Sequence, residues 1–193
     1  VGPLIGATTL LFWAGIIYSF YGYVGGLDML QGFHRYSGPD PCSLAGTGAQ
    51  YAVTLDDYVA LDAGNCTGLA TAAYHNADLA MFASSHGLAL IKQLKWLDIV
   101  NAGAWILLGV LIEAEIFMRV TRRATPKILR ILHIAQFPFW IVLIAAVICW
   151  LILGEPVYAW DAFLWIVCFF FIELNMMAKH EHNARKKAGE IPA

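Results

Sequence analysis

Four apolar stretches dominate the pattern of hydrophobic and polar positions: residues 3–24, 97–118, 131–153 and 157–177. A helix of about 20 such residues, rising 1.5 Å per residue, crosses a hydrocarbon core of about 30 Å. Backbone polar groups in lipid must be satisfied within the segment itself, so these stretches are expected as helices. Residues 25–96 change character. The part from Gly32 to Gly48 is rich in Gly, Pro and Ser, and Ser37-Gly38-Pro39-Asp40-Pro41 marks turns. From residue 69 to 95, Leu79, Phe82, Leu90 and Leu94 recur at gaps that suit a helix, interrupted near Ser84-Ser85-His86-Gly87. Asn76-Ala77-Asp78 is a candidate start for the second half of that helix. Residues 88–96 enter the second span without a breaker, so this helix is expected to project beyond the membrane, its apolar stripe packing on Leu27 and Leu30 or on a partner. The expected fold is all-α: one domain, 1–193, built as an integral membrane four-helix bundle. A partly helical segment of roughly 70 residues separates helices 1 and 2.

Charge gives the bundle an orientation. Only 13% of the 193 residues are charged, where a soluble domain carries about 25%. Of twelve basic residues, Arg119, Arg122, Arg123, Lys127 and Arg130 fall between the second and third spans. Lys179, Arg185, Lys186 and Lys187 follow the fourth. Basic loops stay on the cytoplasmic or matrix side, so loop 119–130, tail 178–193 and both termini are expected inside, with 25–96 outside. Tyr18, Tyr21, Tyr23, Trp96, Trp150, Tyr158 and Trp160 then fall at the outer interface, where amphipathic rings settle. The first span lacks a basic leader and an A-x-A-like cleavage site, so it is read as a retained helix.

Cys42 and Cys66 lie in the outer segment, where conditions permit a disulfide, and their pairing would close that loop. Asn65-Cys66-Thr67 fits the glycosylation pattern, which makes Asn65 a possible acceptor. Ionisable groups at membrane depth are costly and are functional candidates by default. Glu113, His133 and Glu173 reach a similar depth near the inner face on three helices, and form the candidate intramembrane polar site. Glu115 and Arg119, four residues apart, read as a structural pair. Asp98 and Asp161 sit near the outer boundary, where water reaches them. His34, His75 and His86 lack ligand spacing and read as surface residues. No metal site is expected, and no cofactor is required: two haem-ligating histidines at membrane depth are lacking, as are catalytic motifs.

Small residues Gly15, Ser19, Gly22 and Gly26 stripe the first span, and such stripes let helix backbones approach closely. These features suit a non-catalytic accessory or structural subunit of a larger membrane protein complex. Its partners would be membrane lipids and other integral subunits, with no nucleic acid. The alternative is a small membrane enzyme, carrier or redox subunit that uses Glu113, His133 and Glu173. The layout of inside termini, a large first outer loop with a cysteine pair and a minimal second loop is similar to that of claudin-like four-span proteins. That resemblance implies adhesion or barrier function as a second alternative. It is a likeness of topology, since no tryptophan stands between Trp13 and Trp96 to match the family's first-loop signature.

Overall fold

The computed structural model describes residues 2–54, 56–69 and 73–187, with side chains described for these ranges apart from 2–9, 12 and 172–187. Among the described residues four helices carry most of the chain: α1 (Gly2–Gln31), α2 (Ser85–Val120), α3 (Pro126–Ile152) and α4 (Pro156–Lys187). Three of the boundaries have a local cause. Ser84 caps α2, its Oγ accepting from the Gly87 N–H at 3.0 Å, so the Ser-Ser-His-Gly run begins the helix and does not interrupt one. Thr125 caps α3 in the same way, with Pro126 at the first helical position. Gly154, at φ +84°, turns the chain between α3 and α4.

Between α1 and α2 the chain forms a sheet, which corrects the all-α expectation: the fold is mixed α/β, not an all-α four-helix bundle. Among the described residues five short strands, β1 (His34–Arg35), β2 (Gln50–Ala52), β3 (Tyr58–Ala60), β4 (Ala73–Asn76) and β5 (Met81–Ser84), align in the order β1-β4-β5-β2-β3. β2 and β5 run parallel and the other neighbours antiparallel. The segment expected to be helical from residue 69 is instead the β4–β5 hairpin, up to the start of α2. Asn76 decides this locally. Its Oδ1 accepts from the N–H groups of Asp78 (3.2 Å) and Leu79 (3.3 Å), closing a turn in place of the expected helix start. Leu79 is left exposed in that turn while Phe82 is fully buried, so their three-residue spacing is not a helix face.

Alternation along β4 and β5 divides the sheet into two working faces. Ala73 and Phe82 face a core with Leu61, Cys66 and Leu69, closed by the Cys42–Cys66 disulfide, which joins two 3-10 turns (Pro41–Leu44 and Cys66–Leu69) across 5.1 Å between Cα atoms. Met81, Ala83 and Tyr74 face the helix ends, packing with Leu27 and Leu30 of α1, Leu88, Ile91 and Leu94 of α2, Trp150 of α3 and Ala159 of α4. Asn76 anchors this seam: its Nδ2 donates to the Met29 carbonyl at 3.0 Å. A Cβ at Gly32 would lie 2.5 Å from that nitrogen, so the approach needs glycine.

Further down, Ala104, Leu108 and Leu143 join Trp105 and Trp140 in a smaller core between α2 and α3. Among the described residues two helices, α2 and α3, are long and apolar enough to cross a membrane, where four were expected; the apolar stretch Pro156–Phe171 of α4 is shorter.

Candidate functional site

The depth argument pointed to Glu113, but the acidic hub is Glu115. Its Oε1 accepts from Arg119 Nε at 2.9 Å and Nη2 at 2.6 Å, one helical turn along α2. His133 Nε2 stands 3.3 Å from the same oxygen, and Gln136 Nε2 donates to Oε2 at 3.2 Å. His133 and Gln136 are three residues apart on α3, hence on one face, and together they bring α3 onto the α2 carboxylate. Gln136 is only 3% exposed, so its amide depends on this bond. The arrangement is a charge-assisted clamp: one carboxylate shared by a guanidinium, an imidazole and an amide.

Glu113 belongs to a different seam. Two positions from Glu115, it faces α1 and accepts from the Trp13 indole N–H at 2.8 Å. One turn earlier on α2, Gly109 makes room for the ring: a Cβ there would come within 3.1 Å of Trp13 Cη2. Glu113 and His133 therefore have different partners on opposite sides of α2. The side chain of Glu173 lies outside the described residues. Sequence reasoning missed Gln136 as a member of the hub. Its spacing of three from His133, at the depth of Glu115, was the available signal.

A second polar group fastens the sheet to the helix ends. Asp98, expected to be water-exposed, is buried on α2, where the Trp150 indole donates to its carboxylate and Lys95 lies beside it. Lys95 runs back over α1, its Nζ 5.6 Å from the centre of the Tyr23 ring and its stem against Gly26. Asp56, in the β2–β3 turn, accepts from the Tyr158 hydroxyl of α4. Glu155 has its carboxyl pushed above the usual range by burial, with repulsion from Asp57 and Asp56 adding to it. Of these contacts the Asp56–Tyr158 bond ties the sheet module to α4, Asp98–Trp150 ties α2 to α3, and Lys95 over Tyr23 ties α2 to α1.

Among the described residues no group of three or more His, Cys, Asp or Glu side chains is placed to hold a metal ion. His75, half-buried, packs in an aromatic cluster with ring centres 4.4 Å from Phe82 and 5.6 Å from Tyr36. Burial holds its imidazole below the ordinary histidine range. His34 sits opposite it in register on β1. Asn65, the candidate acceptor, is half-buried in its loop: Nδ2 donates to the Ala60 carbonyl at 2.8 Å and Oδ1 accepts from the Asp62 N–H at 2.9 Å. Cys149 and Cys168 are unbonded and exposed on α3 and α4. No protein-family model matches the chain, and no curated protein or solved structure matches it.

Proposed function

We propose that this protein is a non-catalytic integral subunit of a larger membrane assembly, which presents its disulfide-closed sheet module on the outer side and packs its helices against those of neighbouring subunits. The observation that carries the reading is the uncovered flank of α1. Leu10 and Leu11 are each 73% exposed, and Tyr18 and Tyr21 are similarly uncovered. Gly15, Gly22 and Gly25 have nothing within 4 Å of where a side chain would begin. Lipid alone would cover leucines equally well. Open glycines beside exposed tyrosines favour another helix, because close backbone approach is what drives association where hydrophobicity cannot.

The positive-inside bias supports loop 119–130 and both termini on the cytoplasmic or matrix side, with the sheet module opposite. Blue-native electrophoresis after mild extraction tests the assembly: the chain is expected in a larger complex, and a stable lone monomer refutes it. Protease shaving of sealed vesicles tests the orientation, which fails if loop 119–130 and the sheet module are cut from the same side.

One observation favours a second reading, a small enzyme, carrier or redox subunit. The Glu115 clamp gathers a carboxylate and an imidazole at membrane depth, the materials of a proton relay. Glu115→Gln separates the two: a relay loses turnover at unchanged assembly, whereas a structural clamp keeps whatever activity the complex has.

A further inference from the structure

Along one face of α3 runs an open groove of about 520 Å³, lined by Pro126, Leu129, Arg130, His133, Ile134 and Phe137. These positions recur every three or four residues, so they form a single strip of helix surface. Pro126 and Leu129 open the strip where the chain enters the helix. Arg130 and His133 stand in its first two turns. Ile134 and Phe137 follow toward the apolar middle, both well exposed. From Arg130 to Phe137 the helix rises about 10 Å.

The charge in this region is one-sided. Arg122, Arg123, Lys127 and Arg130 are all exposed. Glu115, the carboxylate that meets His133, is already taken by Arg119 and Gln136. Among the described residues Arg130 has no ion pair and no side-chain hydrogen bond, and His133 has none beyond Glu115 Oε1. A cation without a counterion, above a bare apolar strip, has the polarity of a phospholipid standing in one leaflet: an anionic head, then a chain. We propose that this groove binds one anionic phospholipid of the inner leaflet, with its phosphate on Arg130 and His133 and an acyl chain along Ile134 and Phe137. Basic pockets beside membrane helices on the cytoplasmic side recognise such headgroups. The inference rests on the membrane reading given above.

The test uses the full chain, extracted in mild detergent, stripped of lipid, and titrated with dioleoylphosphatidylglycerol or dioleoylphosphatidylcholine. Native mass spectrometry counts the lipids retained. The unaltered protein is expected to keep one phosphatidylglycerol at least fivefold better than phosphatidylcholine. Arg130→Gln is expected to reduce that preference about fivefold, the factor one cation contributes at an anionic surface. Ile134→Trp, which fills the strip, is expected to lower retention of both lipids, and Lys92→Gln, at the far end of α2, to change nothing. Circular dichroism and an intact disulfide show that each variant is folded. Equal retention of the two lipids by the unaltered protein overturns the proposal, as does an Arg130→Gln protein with unchanged preference. Complete displacement of the lipid by millimolar inorganic phosphate overturns it too, because the site would then read the anion alone. Lipid-free dimers that disappear in Ile134→Trp would assign the groove to a second copy and overturn it as well. Recovery of the chain in alkaline carbonate supernatant refutes the membrane reading, whereas a carbonate-resistant chain without lipid preference refutes only this inference.

Discussion

Removing the Glu115 side chain should cost more than its ion pair is worth, because of what it leaves behind. In Glu115→Ala, Arg119 loses two hydrogen bonds but sits near the helix end and can turn to water. A partly exposed pair of this kind contributes about 0–1 kcal/mol. His133 is nearly half exposed and adds little. Gln136 is different: at 3% exposure its Nε2 has no other partner to reach, and a buried donor left unsatisfied costs about 1–3 kcal/mol. The expected total is about 2–3 kcal/mol, most of it from the amide. Gln136→Leu should cost less, about 1 kcal/mol, since Glu115 keeps Arg119. The double variant should recover, because no orphaned amide remains. A cycle of four proteins, unfolded by rising SDS in mixed micelles and followed by tryptophan fluorescence, measures the coupling directly. We expect at least 1 kcal/mol of coupling, the upper part of the range for interhelical hydrogen bonds in bilayers. Additivity within about 0.3 kcal/mol would show that the Gln136–Glu115 bond carries no energy, and the clamp would be refuted.

Three further outcomes follow from the sheet module. Cys42→Ser with Cys66→Ser opens a loop of 24 residues' separation and should lower stability by about 3 kcal/mol, read as faster proteolysis between residues 32 and 84; equal proteolysis of the two proteins would count against it. Asn76→Ala breaks two turn bonds and strands the Met29 carbonyl, for a loss of about 2–4 kcal/mol by thermal melting; a change under about 1 kcal/mol would mean another group closes the turn. His75 titrates below its ordinary value in the folded protein, so the unfolded chain binds the proton more readily. Its contribution is therefore fully present above about pH 6.5 and is lost as pH falls through the lowered folded value. The melting temperature should drop between pH 7.5 and pH 5, and His75→Phe should flatten that drop; a variant as pH-sensitive as the original would exclude His75 as the cause.

Long apolar runs are legible in a sequence, because hydrophobicity is read one residue at a time and the signal accumulates over the run. Each of the four apolar stretches falls largely within a helix, and among the described residues two of those helices are long and apolar enough to cross a membrane. The sheet was not legible. Its strands are two to four residues long, too short for alternation to show, and β5 is buried along Met81, Phe82 and Ala83 with no polar partner positions between. Asn76 has the same side chain whether it caps a helix or closes a turn, and in the fold its Nδ2 also donates to the Met29 carbonyl on α1, a partner 47 residues away that no local pattern announces. The site divides the same way. Sequence depth placed several carboxylates and one histidine near a common level, but depth is a single coordinate. The angle around each helix axis was set by packing: Gly109 admits Trp13, which takes Glu113 toward α1, and this leaves Glu115 to meet His133 and Gln136 on α3. Solvent preference is a property of each residue and can be read one position at a time. Partnership belongs to pairs far apart in the chain, and only the folded structure brings those pairs together.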